Sequence, residues 1–124
     1  MARKTILAVD DDPVVLEAIN DALGGSFNIL ISQDGHEGIM LAAEQKPDII
    51  LLDIMMPGFD GFSTLMLLKD NDATRDIPII MLTAVGKKDK IITAFRDGAS
   101  DYILKPFKKD LLIQKIRKLT GDTD

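Results

Sequence analysis

Short apolar runs alternate with amphipathic stretches along the whole chain. The runs predict strands at Thr5–Val9, Phe27–Ile31, Ile49–Leu52, Pro78–Leu82 and Tyr102–Leu104. Ile49-Ile50-Leu51-Leu52 and Ile79-Ile80-Met81-Leu82 carry no polar break, the pattern of strands covered on both faces. Between the strands the apolar spacing turns helical. Pro13 suits a first helical position, and Val15, Ile19, Ala22 and Leu23 follow before Gly24-Gly25 end the helix. Further helices are predicted over Gly35–Glu44, Phe62–Lys69, Lys88–Arg96 and Lys108–Leu119, the last with Leu112, Ile116 and Leu119 on one stripe.

Five such strand–helix units in succession imply a parallel sheet with helices on both faces, because crossovers between parallel strands are right-handed. The predicted fold is α/β, a doubly wound three-layer sandwich of five strands and five helices. Ligands of such sheets bind beyond the carboxyl ends of the strands. The residues at those ends therefore carry the functional argument.

The first strand runs directly into Asp10, Asp11 and Asp12. Adjacent carboxylates repel one another, and burying one unpaired is costly, so a cation is the natural companion. The third strand is followed by Asp53, the fourth by Thr83-Ala84 and the fifth by Lys105-Pro106. One sheet edge thus collects carboxylates, a hydroxyl and an ammonium. Crowded carboxylates suit a hard divalent ion, and Mg²⁺ favours one or two of them together with waters and phosphate oxygens. With a lysine and a hydroxyl nearby, the set is suited to a phosphoryl group attacked by an aspartate. Asp12, just before Pro13, reads as a cap for the first helix. Asp60-Gly61 reads as turn chemistry, and His36, at the start of the second helix, as a surface residue.

Composition narrows the alternatives. The 124 residues are most simply one domain spanning 1–124, and 46% hydrophobic content argues for a folded core. The absence of cysteine excludes disulfides, thiolate metal sites and cysteine nucleophiles. The apolar runs are too short to span a bilayer, and the N-terminus lacks signal-peptide character. No membrane association is expected, and a cytoplasmic location is the simplest reading. Net charge is −5, but residues 86–120 hold ten Lys/Arg against four Asp. That segment is either a solvated basic face or a partner surface. Without aromatic–basic interleaving, direct nucleic-acid binding is not implied.

AVDDDP, KPDIILLDIMMPGFDG, MLTA and DYILKPF, in this order and spacing, resemble the receiver domain of two-component response regulators. The resemblance covers nearly the whole chain. It implies a flavodoxin-like sheet of order 2-1-3-4-5 and a phosphoaccepting regulatory domain rather than an enzyme. Asp53 would be the phosphoacceptor. Asp10, Asp11, Asp53 and the backbone carbonyl of Met55 would bind Mg²⁺, with Asp10 acting mostly through water. Lys105, beside a cis peptide to Pro106, and Thr83, aided by the Ala84 N–H, would hold the phosphoryl oxygens. Tyr102 would be a switch residue whose rotamer follows Thr83. The implied partners are a sensor histidine kinase or phosphotransfer protein, and an effector or second receiver meeting the face of the fourth helix, fifth strand and fifth helix. Met55 and Val85 would flank the path of a hydrolysing water, and their bulk predicts a long-lived phosphorylated form.

Two other functions remain open at this point. Asp10-Asp11-Asp12 also spells the D-x-D of haloacid-dehalogenase-type aspartyl-phosphate hydrolases, although the chain leaves no room for a cap domain. A flavin carrier shares the fold, but three aspartates would repel its phosphate.

Overall fold

The computed structural model describes residues 3–54, 61–84 and 88–121. The elements follow in strict alternation: β1 (Thr5–Val9), α1 (Pro13–Leu23), β2 (Asn28–Ser32), α2 (Gly35–Gln45), β3 (Ile49–Asp53), α3 (Gly61–Asp70), β4 (Ile79–Ala84), α4 (Lys88–Arg96), β5 (Asp101–Lys105) and α5 (Lys109–Thr120). The five strands form one parallel sheet in the order β2-β1-β3-β4-β5.

Alternation along each strand divides the core into two layers. Ile6, Ala8, Ile49, Leu51, Ile80, Leu82 and Ile103 face α1 and α5, where Leu16, Ile19, Leu23, Leu112 and Ile116 meet them. Leu7, Val9, Ile50, Leu52, Ile79 and Met81 face Ala42 of α2, Leu65 and Leu68 of α3 and Ala94 of α4. β3 is buried along its whole length, as its unbroken apolar sequence predicts. Helix starts are locally encoded. Asp12 Oδ1 accepts the Val14 N–H at 2.9 Å ahead of Pro13, and Asp34 Oδ1 accepts the His36 N–H at 3.1 Å. His36 itself is exposed.

At their C-terminal ends the strands after β1 run further toward the ligand edge than predicted. β3 includes Asp53, β4 includes Thr83 and Ala84, and β5 includes Lys105. The reason is backbone pairing: Asp53 is in register with Leu82, Thr83 with Leu104 and Ala84 with Lys105. The sequence pattern ended these strands at the last apolar residue. Their polar C-terminal residues stay in the ladder because the backbone bonds whatever the side chain.

Candidate functional site

Three strand ends and one loop build a cleft of about 480 Å³, lined by Asp10, Asp11, Asp12, Pro13, Asp53, Thr83, Ala84 and Lys105. Asp10 leaves β1 with its N–H donated to the Ser32 carbonyl at 3.0 Å, which ties the start of the loop to β2. Its side chain is fully buried, and Asp53 is 4% exposed, whereas Asp11 is open to solvent. Carboxylate oxygens of Asp10, Asp11 and Asp53 lie within 4.8 Å of one another.

Lys105 joins the two buried carboxylates. Its Nζ lies 2.8 Å from Asp10 Oδ2 and 3.2 Å from Asp53 Oδ1. Partial burial disfavours the ammonium, but the adjacent Asp10 carboxylate and then the Asp53 charge outweigh that cost, and the pKa of Lys105 is raised. Lys105 therefore stays charged throughout the neutral range. Asp10 Oδ1 accepts the Asp12 N–H at 3.0 Å, and Oδ2 faces the Lys105 ammonium at 2.8 Å. Three carboxylates gathered this closely, two of them buried, fit a divalent cation with oxygen ligands.

Thr83 is buried at the end of β4, and its hydroxyl donates to the Ala84 carbonyl at 3.3 Å. The Lys105–Pro106 peptide is cis, as the resemblance implies. Tyr102 lies outside the cleft, level with Met81 and two residues before Leu104, the register partner of Thr83. It therefore shares a sheet face with Thr83, one side-chain repeat away. Met55, Asp60 and Val85 lie outside the described residues.

Asp12 caps α1 through Oδ1 and is exposed, while Asp10 is buried against Lys105, so the two carboxylates stand in different surroundings. A larger groove of about 660 Å³ between α2 and α3, lined by His36, Ile39, Met40, Leu67, Asp70, Asn71 and Asp72, contains no comparable carboxylate–lysine set among the described residues.

Two features of the site were not foreseen. Gly61 packs directly on the end of β3: its N–H donates to the Ile54 carbonyl at 2.9 Å, and an added Cβ would collide with the Asp53 carbonyl oxygen. The Asp-Gly pair in the sequence signals a turn, but the required close approach appears only in the fold. Likewise Tyr102 is held between Phe95 and Lys115, partners on two different helices that no local pattern links to it.

The fold and the site together define a receiver domain. The family model described as the response regulator receiver domain matches residues 6–117, and the chain belongs to that family, the receivers of two-component signal transduction. It is 40% identical over 121 residues to the "DNA-binding dual master transcriptional regulator RpaA" of Synechocystis, an alignment covering 96% of this chain and 50% of that protein. The chain thus spans half the length of that curated relative. Among solved structures, the Francisella response regulator 1452 receiver domain superposes with a TM-score of 0.87 at 29% identity, over 98% of this chain and all of that one. The receiver domain of the sensor histidine kinase PA1611 from Pseudomonas aeruginosa superposes with a TM-score of 0.88 at 30% identity, covering 97% and 99% of the two chains. That structure carries a magnesium ion in its active-site cleft.

Proposed function

We propose that Asp53 is the phosphoacceptor of residues 1–124 acting as a single receiver domain. The observation that carries this reading is the Lys105 ammonium set between Asp10 and Asp53 at the mouth of a cleft that also holds Asp11 and Thr83. An Asp53 carboxylate oxygen attacks phosphorus, and the bond from phosphorus to the donor breaks. Its electron pair returns to the imidazole nitrogen of a phosphohistidine or to the carboxylate of a small acyl phosphate. Lys105, already protonated and adjacent to Asp53, pairs with the arriving phosphoryl oxygens, and the Thr83 hydroxyl and Ala84 N–H donate to them. When bound by the carboxylates of Asp10, Asp11 and Asp53 and the carbonyl of Met55, Mg²⁺ supplies positive charge against the phosphoryl oxygens. Thr83 and Tyr102 then carry the change to the face of α4, β5 and α5, shifting an equilibrium between two conformations.

In this reading the domain regulates and does not turn over external substrates, its chemistry being limited to its own phosphorylation and dephosphorylation. The donor is a sensor histidine kinase or phosphotransfer protein, the reader is an effector or second receiver, and the location is the cytoplasm. Among the described residues no helix is long and apolar enough to cross a membrane.

Incubation with acetyl phosphate and Mg²⁺, followed by intact-mass measurement, tests the assignment. A single phosphoryl adduct is expected for the wild type. Asp53→Asn should remove it, and Asp11→Asn should remove it through lost metal binding. Normal labelling of the Asp53→Asn protein refutes the assignment, and sustained phosphomonoester turnover would favour a hydrolase instead.

A further inference from the structure

Tyr102, the only tyrosine of the chain, is held by its neighbours in a specific way. Its ring meets Phe95 of α4 edge to face, with centroids 6.1 Å apart and planes at 89°. On the α5 side, Lys115 Nζ lies 5.5 Å from the ring centroid. The same ammonium is 2.9 Å from Asp101 Oδ1, and that oxygen also accepts the Tyr102 backbone N–H at 2.8 Å. One carboxylate oxygen therefore fixes both the backbone of Tyr102 and the cation over its ring.

An ion pair standing free in solvent contributes little. This one is mostly covered, with the Lys115 and Asp101 side chains 23% and 25% exposed, and its cation also lies over an aromatic ring. The ring cannot leave its position without giving up the Lys115 and Phe95 contacts together. A groove of about 410 Å³ beside it is lined by Tyr102, Leu104, Lys105, Leu111 and Lys115, so it reaches from the tyrosine to the lysine of the phosphoacceptor cleft.

We propose that Lys115 is a positioning residue for the switch: held by Asp101, its ammonium over the Tyr102 ring stabilises the unphosphorylated conformation. This rests on the reading of Tyr102 as the switch residue. Phosphorylation has to overcome the clamp, so Lys115 sets how readily the domain becomes active. Because a ligand shifts two states only by its differential affinity, weakening the inactive state alone raises the active population before any phosphoryl group arrives.

Tyr102 allows a single-site measurement, because one 3-fluorotyrosine in the intact chain gives one fluorine resonance. The reference shift is that between the untreated wild type and the wild type saturated with Mg²⁺ and beryllofluoride, an acyl-phosphate mimic. Lys115→Met keeps the aliphatic stem and removes the charge, while Lys115→Arg keeps a cation. In untreated Lys115→Met the resonance is expected to move along the reference line toward the beryllofluoride position. Its initial rate of phosphorylation by acetyl phosphate should rise about threefold, the equilibrium effect of losing a partly exposed cation–π contact. Lys115→Arg should behave as wild type in both measurements.

A Lys115→Met protein with wild-type rate, whose resonance leaves the reference line or stays put while the wild type responds to beryllofluoride, overturns the clamp and leaves the switch reading standing. A wild-type resonance unmoved by saturating beryllofluoride overturns the switch reading and the clamp with it. Unfolding of Lys115→Met and Lys115→Arg to equal extents, with no recovery by arginine, also overturns the clamp, since any cation over the ring should restore it.

Discussion

A methyl group added at Gly61 would collide with the Asp53 carbonyl oxygen and lie 2.7 Å from Ile54 Cα, so either α3 or the end of β3 would have to move. Because Asp53 is the last residue of β3, a displacement there moves the carboxylate relative to Lys105. Gly61→Ala is expected to cost about 1–3 kcal/mol, the range for overpacking a tight contact. It should also slow phosphorylation at saturating Mg²⁺. Denaturant unfolding and initial labelling rates check both parts, and a variant as stable and fast as wild type would show that the contact relaxes without moving Asp53. Lys105 illustrates the opposite use of a residue, since what matters is its charge. Burial weakens the ammonium, and the Asp10 and Asp53 carboxylates more than restore it, so its pKa is raised.

Among the elements, α3 is secured at its C-terminal end by a long side chain from its own last turn. Lys69 Nζ donates to the carbonyl oxygens of Arg75 at 2.9 Å and Ile77 at 3.0 Å, closing the loop from α3 to β4. Burial lowers its pKa, with Asp76 opposing. The stem also runs along Gly98, two residues beyond the end of α4, since a Cβ there would lie 3.1 Å from Lys69 Cγ, and Gly98 has φ +111°. The buried Thr74 hydroxyl adds a bond to the Leu68 carbonyl at 2.6 Å. Lys69→Met keeps the stem and leaves two loop carbonyls without their donor. A loss of about 1–2 kcal/mol is expected, because unmade hydrogen bonds cost most where water reaches the group least. Urea denaturation measures it, and an unchanged midpoint would mean that water replaces the ammonium at no cost.

For the whole molecule, the division of labour follows from the doubly wound topology. All strand C-termini emerge at one edge, so Asp10, Asp53, Thr83 and Lys105 converge there from separate parts of the chain. β5 lies at the sheet border, where Leu104 is exposed together with Ile92 and Phe95 of α4 and Leu111 of α5. Lys88, Lys108 and Lys109 on the same side are exposed, whereas Lys90 lies 5.9 Å over the Phe62 ring and Lys115 is engaged with Asp101. Only part of the basic segment is thus available to a partner. If phosphorylation is read on this face, amide exchange after beryllofluoride treatment should change in β5 and in its neighbours α4 and α5 as well as around Asp53. Exchange in β2, at the opposite border of the sheet, should stay near its untreated values. Changes confined to the surroundings of Asp53 would rule out this route.

Much of this protein is decided by sequence alone. The unbroken apolar runs of β3 and β4, the Asp12-Pro13 helix start and the regular alternation of periods dictate a parallel sheet with two covered faces, because each is a local consequence of burial, capping or chain geometry. The acidic run after β1, with Asp53, Thr83 and Lys105 at the ends of later strands, also made the ligand edge legible, since a fold that gathers strand ends gathers whatever follows them. The tertiary structure decided what depends on distance between residues far apart in the chain. It buried Asp10 and exposed Asp11 and Asp12, although all three carry the same side chain, because only Asp10 directly continues the interior strand β1. It extended three strands into polar residues through backbone pairing, pressed Gly61 against Asp53, and put Lys115 over Tyr102 from another helix. No periodicity or motif encodes those contacts, because each depends on how separate elements pack and not on the sequence within any one of them.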